Sequence, residues 1–318
     1  MFRKLSAPTL RIASTDFQKF RDYLAREGFV FEDRLYQEFL ARRTGVAVNL
    51  YSNGKVVIGG NDQVLIGSLR EFVMSLGGEE VVKETRILEP LEIPFPHIGT
   101  DEVGKGDYFG PLVVAGTLVL VEKVESLRLL GVKDSKTLSD NTIRNIASQI
   151  RILLGQHRYE EISISPLEYN ILYGKMQNVN KILGWAHASV IENLLAHGED
   201  CKLALADQFG DPAYIQESLM NRGKSIELKQ THKAERDLAV AAASILARGR
   251  FLHDRERMCK DYNIVFPKGA TDVVAFGKKF VEEHGISALQ HVAKLHFSTT
   301  MQITSGVVPS IDKEHEDP

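Results

Sequence analysis

Apolar residues recur along this chain with two different periods, and glycine and proline mark where one period gives way to the other. Over residues 14–25, Phe17, Phe20, Tyr23 and Leu24 fall at helical spacing, with Ser14 and Asp16 placed where such a helix would start. Residues 45–51 and 56–58 are short β-forming runs on either side of Ser52-Asn53-Gly54-Lys55. Asn-Gly in that position is the strongest short-range hairpin signal. A second helix is expected over about 65–76. Helix, hairpin and helix predict a small α+β domain over residues 1–86. Pro90, Pro94 and Pro96 then make 87–96 an extended, semi-rigid linker.

Beyond the linker, strands and helices alternate, the pattern of an α/β body over 97–306. Residues 112–121 are a largely apolar run that reads as a buried strand. Ser139 and Asp140 can cap a helix running to about Leu154. Residues 159–165 alternate as a strand, and 178–196 read as a helix whose core positions are Ile182, Trp185, Val190, Ile191 and Leu194. Residues 202–207 are a buried strand ending in a carboxylate. A long helix is expected over about 233–258, with Leu238, Ala241, Ala242, Ile245, Leu246 and Leu252 as its apolar stripe. The segment 307–318 is polar and acidic, the composition of a disordered tail.

A length of 318 residues favours two domains, and a hydrophobic content of 43% with 25% charged residues is that of a soluble globular chain. Cys201 and Cys259 offer neither metal-site spacing nor a disulfide framework, which points to a reducing compartment. The opening residues lack the apolar core of a signal peptide, and no run is long enough to cross a bilayer. A cytoplasmic protein without membrane partners is expected. The net charge of −3 is unevenly spread: residues 1–78 carry 11 Lys and Arg against 8 Asp and Glu, leaving an acidic remainder. Neither a Walker-type phosphate-binding loop nor a nucleophile elbow is present, which weighs against a nucleoside triphosphatase or a serine hydrolase.

The chemistry concentrates at 97–111. Ile98 and Thr100 belong to a strand, and two adjacent carboxylates, Asp101 and Glu102, arrive where it ends. Neighbouring side chains on a strand point to opposite faces, so both can serve one site only at a rim or a turn. Gly104-Lys105-Gly106 supplies the turn, with a cation held between two glycines. Carboxylates beside a cationic glycine turn suit a hard metal ion and a phosphate-bearing substrate. The plain alternative is a charged surface loop; the apolar strands on either side weigh against it. Asp207 would come close to Asp101 if its strand lay beside the first, although an aspartate there can also cap a turn. Glu235 and Asp237 compete as a fourth acid. Projected on the expected helix, Glu235 falls at the edge of the apolar stripe, and Asp237 falls on the polar side with Ser244, Arg248 and Arg255, towards solvent. Lys136 is a possible phosphate contact and Asp134 a structural residue. Lys268 and His296 are equally balanced between substrate and surface roles, and Trp185 is read as packing.

The run from Asp101 to Pro111, Asp-Glu-Val-Gly-Lys-Gly-Asp-Tyr-Phe-Gly-Pro, resembles the first catalytic motif of the type 2 ribonucleases H. Its Gly-Lys-Gly form resembles the ribonuclease HIII branch, where ribonuclease HII usually has Gly-Arg-Gly. The Asp134-Ser-Lys136 piece and the segments 241–248, 266–270 and 294–298 are similar to further parts of that family. The resemblance implies a ribonuclease H-like mixed sheet flanked by helices, preceded by a domain similar to the TATA-binding-protein fold that helps grip the substrate. It implies hydrolysis of the RNA strand of RNA–DNA hybrids, leaving 5′-phosphate and 3′-hydroxyl ends. Two divalent ions, Mg2+ or Mn2+, would be held by Asp101, Glu102, Asp207 and Glu235, with Gly104, Lys105, Gly106, Lys136 and Lys268 against the substrate. A monomer is expected. The alternatives are cleavage at single ribonucleotides embedded in DNA, as in ribonuclease HII, or hybrid binding without catalysis.

Overall fold

The computed structural model describes residues 9–32, 37–80, 91, 93–198, 200–270 and 273–305. The chain divides into two compact units, Met1–Ile87 and Leu88–Pro318. Part of the expected linker, residues 87–90 and 92, and the expected tail at 307–318 lie outside the described residues.

The first unit begins with β1 (Thr9–Arg11) and α1 (Phe17–Arg26), and continues through β2 (Val30–Glu32), β3 (Gln37–Arg43), β4 (Val46–Tyr51) and β5 (Lys55–Gly60). It closes with α2 (Gln63–Ser75) and β6 (Glu79–Glu80). The strands form one sheet in the order β2-β3-β4-β5-β1-β6, every neighbouring pair antiparallel. The Asn53-Gly54 turn joins β4 to β5 as a hairpin, with the Gly54 N–H donating to Tyr51 O at 2.9 Å. Val46, Val48 and Leu50 of β4 and Val56 and Ile58 of β5 cluster with Phe20 and Leu24 of α1 and Ile66, Leu69 and Val73 of α2. Both helices therefore lie on one face. The alternate positions Ala47, Asn49, Tyr51 and Val57 point to the other.

The second unit opens with β7 (His97–Val103) and β8 (Leu112–Val119), then α3 (Val124–Leu129), α4 (Asp140–Leu154), β9 (Tyr159–Ile164), α5 (Pro166–Met176) and α6 (Val179–Leu195). It continues with β10 (Leu203–Asp207), α7 (Ala213–Ser218), β11 (Glu227–Thr231) and α8 (Leu238–Tyr262), and ends in α9 (Val274–His284), α10 (Leu289–Val292) and α11 (Ser298–Thr304). The sheet order is β11-β10-β7-β8-β9; β10 runs parallel to both β7 and β11, while β7, β8 and β9 are antiparallel. Every residue of β8 is buried because helices cover both faces. Leu112, Val114 and Leu118 pack with α6, and Val113, Ala115 and Val119 pack with α4 and α8. Leu91 and Ile93 rest on Leu205, Ala234 and Val240.

The long helix α8 lies unusually close to the sheet. A Cβ on Gly99 would come within 2.2 Å of the Val240 nitrogen, so only glycine fits under the first turn. The Thr117 hydroxyl donates to the Ala239 carbonyl at 2.9 Å, binding the same turn to β8.

The start of α8 corrects the expected helix. It begins at Leu238, and residues 234–236 form a separate 3-10 turn. Asp237 is the N-cap: its Oδ1 accepts the N–H groups of Ala239 and Val240 at 2.9 and 3.0 Å. Both of its carboxylate oxygens lie 3.0 Å from His97 Nε2. Asp237 is thus only 1% exposed rather than turned to solvent, and Ser244 and Arg255 are buried with it. The helical projection failed because a capping residue lies outside the helix it caps. Trp185 is a second correction: at 38% exposed it is no core position, since Ile182, Leu183 and Ala186 already fill that face of α6.

Candidate active site

The parallel pairing of β10 with β7 sets Ala204 opposite Ile98 and Ala206 opposite Thr100, so Asp207 and Asp101 follow at the same end of adjoining strands. Asp101 Oδ1 accepts the Glu102 N–H at 2.8 Å, and the Ser244 hydroxyl from α8 also reaches this carboxyl. Asp207 Oδ1 accepts the Ala234 N–H at 2.9 Å. Each aspartate is thereby fixed by the backbone beside it.

Together with Glu102, these acids line a depression of about 370 Å3 whose other wall carries Lys136, Arg248 and Lys268. Larger hollows of about 470, 520 and 540 Å3 lie elsewhere and carry charged side chains too, so neither size nor charge but the meeting of acids at adjoining strand ends singles out the site. Asp101 is half-buried, at the wall of the depression. That burial, followed by the charge of Glu102, pushes its carboxyl up to about 8, against the opposing pull of the Ser244 hydroxyl and the Glu102 amide. Burial likewise raises Asp207, with Glu235 and Glu102 adding to it. Burial pulls Lys136 down, yet Glu235, Asp101, Asp134 and Asp207 together hold its ammonium above the ordinary lysine value.

Glu235 stands at the margin, on the 3-10 turn before α8. Its Oε1 lies 3.7 Å from Lys136 Nζ, and its charge is felt by Asp207, but its side chain is not among those lining the depression. Among the described residues, no three His, Cys, Asp or Glu side chains are clasped around a single point. The donor set nonetheless fits a hard divalent cation: it consists of carboxylates, and one of them resists ionising because it is buried beside the charge of Glu102.

The other expected contacts separate on inspection. Lys105 Nζ donates to the Phe209 carbonyl at 2.9 Å, joining the glycine turn to the residues after β10. Lys268 Nζ pairs with Asp140 Oδ2 at 3.0 Å, and Arg248 holds the other oxygen of Asp140 at 2.9 Å. Gly104 is buried at φ +97, where a Cβ would meet the Pro111 carbonyl oxygen at 2.3 Å, so the protein's own packing requires glycine there. Gly106 is exposed with open space above it. His296 packs instead among tyrosines, with Nδ1 3.2 Å from the Tyr169 hydroxyl and its ring on Tyr173.

Four residues at this site carried no sequence signal of their role. They are Ser244, Asp107, Phe209 and His187. Asp107 Oδ1 accepts the Gly269 N–H at 2.6 Å, while the Tyr108 N–H donates to the Gly269 carbonyl at 2.9 Å; this ties the glycine turn to the Lys268 segment. All four act across long stretches of sequence, where spacing is uninformative.

A mixed sheet with carboxylates at the adjoining ends of a parallel strand pair, faced by one long helix, defines a ribonuclease H-like hydrolase site. The family model described as Ribonuclease HII matches residues 98–300. Curated relatives include Ribonuclease HIII of Protochlamydia amoebophila (strain UWE25), 38% identical over 87% of this chain and 89% of that protein. Ribonuclease HIII of Chlamydia pneumoniae is 37% identical over 90% and 94%. The crystal structure of Bst-RNase HIII in complex with Mn2+ superposes with a TM-score of 0.62 at 26% identity, covering 94% of this chain and 98% of that one. The chain belongs to the type 2 ribonuclease H family, in its ribonuclease HIII branch. Among the described residues, no helix is long and apolar enough to cross a membrane.

Proposed function

We propose that this chain hydrolyses the RNA strand of RNA–DNA hybrids at the depression between β7, β10 and α8, leaving 5′-phosphate and 3′-hydroxyl ends. The observation that carries the reading is the pairing of Asp101 and Asp207 at adjoining strand ends, with Asp101 held up to about 8 by burial and by the charge of Glu102. Asp101, Glu102 and Asp207 would hold two divalent ions, Mg2+ or Mn2+, with Glu235 completing the set from its turn. Such ions, when bound, neutralise the scissile phosphate and supply an activated water.

The chain's own groups do the rest. Backbone amides keep Asp101 and Asp207 aimed at the depression. Lys136 balances the acids and is exposed enough to meet a phosphate. The Gly104-Lys105-Gly106 turn reads the 2′-hydroxyl, with Gly106 open for close backbone approach. Lys268 can exchange Asp140 for a phosphate of the substrate. The domain over 1–86, similar to the TATA-binding-protein fold, grips the hybrid, joined through 87–96 to the catalytic domain at 97–306. The protein works as a cytoplasmic monomer.

The test is incubation with a labelled RNA–DNA hybrid, and with a DNA duplex holding one ribonucleotide, in Mg2+ and in Mn2+. The proposal expects multiple cuts in the hybrid's RNA strand. Cleavage confined to the single-ribonucleotide duplex would give the ribonuclease HII reading, and binding without cleavage would give a non-catalytic one.

A further inference from the structure

One buried histidine touches more of this site than any role assigned above explains. His187 lies on α6, fully buried, with Nδ1 2.8 Å from the Thr100 hydroxyl on β7. Its ring stacks on Phe209, with centroids 5.0 Å apart and planes at 26°. Phe209 is also the residue whose carbonyl receives Lys105 Nζ. On its other side, His187 Nε2 lies 3.3 Å from Glu102 Oε2. That is within ion-pair range but beyond a well-formed hydrogen bond, and both atoms are buried with no hydrogen bond elsewhere.

Two orphaned buried atoms facing each other at the rim of a carboxylate site are costly unless they act on one another. With Nδ1 engaged by the Thr100 hydroxyl, a proton on Nε2 satisfies the second contact, because Nε2–H then faces Glu102. We infer that His187 is a positioning residue that anchors one oxygen of Glu102, leaving the other oxygen to face the depression as a cation ligand. Thr100 fixes the ring from the strand that carries Glu102, and Phe209 fixes it from the strand end that carries Asp207. One side chain thus sets the spacing between the two sides of the site. The inference rests on the proposed reading of Glu102 as a metal ligand.

Calorimetric titration of the full chain with Mn2+ alone, without substrate, tests both ideas separately. His187→Phe keeps the stacked ring and removes both nitrogens; His187→Gln returns a donor within reach of Glu102. Hydrogen-bonded groups behind a metal ligand change affinity by about 10-fold or more. His187→Phe should therefore lose about 10-fold in Mn2+ affinity, His187→Gln should recover most of it, and the loss should vanish in a Glu102→Gln background. Melting temperature checks the fold of each variant. Should His187→Phe fail to fold, His187→Asn, which keeps the Thr100 side and drops Nε2, takes its place. Wild-type affinity in His187→Phe, equal losses in the Phe and Gln variants, or a loss that persists undiminished with Glu102→Gln would overturn the inference. Unchanged affinity in Glu102→Gln alone would instead remove the ligand reading beneath it.

Discussion

The two sheets of this protein are built on opposite plans. In the second unit, helices cover both faces of the sheet, and β8 is buried at every position. Such a sheet has only its strand ends to offer for chemistry, and that is where Asp101 and Asp207 stand. In the first unit, both helices pack on one face, and the other carries Asn49 and Tyr51 in β4 with exposed Arg42 on β3, Lys55 on β5 and Arg11 on β1. A sheet covered on one side keeps a face for a broad contact. On the proposed function the difference divides the work: strand ends can hold a few atoms in fixed geometry, whereas a face can meet a long polyanion.

The largest test of that division is Asp207→Asn. It removes one strand-end charge while keeping an acceptor for the Ala234 amide, so cleavage should fall by about 10^3-fold or more with little change in melting temperature. Near-normal turnover at saturating metal would move the chemistry elsewhere. The glycines come next. Gly104→Ala should destabilise the fold by roughly 2–4 kcal/mol, because the new Cβ meets the Pro111 carbonyl at a positive φ. Gly106→Ala should fold normally yet cleave poorly, and should lose little more when 2′-hydroxyls near the cut are replaced by hydrogen. Denaturant melts beside single-turnover rates separate the two variants; normal cleavage by Gly106→Ala would place 2′-hydroxyl reading elsewhere.

Glu235 and Asp237 sharpen the comparison from within one short segment. Glu235→Gln should cost mainly activity. Asp237→Asn should cost roughly 1–3 kcal/mol of stability, since it weakens a cap and the contact with His97, while activity per folded molecule stays close to normal. The reverse pattern would make Asp237 the fourth acid. On the first unit's open face, Arg42→Ala and Lys55→Ala should each weaken hybrid binding and lower the slope of log affinity against log salt by about 1. Unchanged slopes would mean that this face is not the grip.

The smallest effect concerns Lys294, fully buried, whose Nζ donates to the Gly110 carbonyl at 2.7 Å. Burial drives its ammonium down to about 7 from the ordinary 10.5. The unfolded chain then binds more protons than the native one between those values. The contribution of Lys294 to stability is full above 10.5 and is lost as pH falls through 7. The melting temperature of wild type relative to Lys294→Met should therefore climb between pH 7 and 10. A flat difference would show that Lys294 is not buried as a strained cation.

Much of this architecture was legible because it is local. The helix over Phe17–Arg26, the Asn53-Gly54 hairpin, the largely apolar strand over Leu112–Val119 and the strand ending at Asp207 each announce themselves within a few residues. Asp101 and Glu102 were visible for the same reason. What stayed hidden depends on partners far apart in sequence. Asp237 reads as one more polar helix position until His97, 140 residues away, is seen to meet it. Gly104 and Gly106 look equivalent in the motif, and only Pro111 and Phe251 tell them apart. His187 sits in an apolar helix with no neighbour that marks it, because Thr100 and Glu102 reach it across the sheet.

The division between strand ends that cut and a face that holds is tested most directly by measuring hybrid affinity and cleavage rate together in Asp101→Asn. The account predicts that this variant binds the RNA–DNA hybrid as wild type does while its cleavage falls below detection. Substantial cleavage by the variant, or loss of hybrid binding in step with the loss of cleavage, would contradict it.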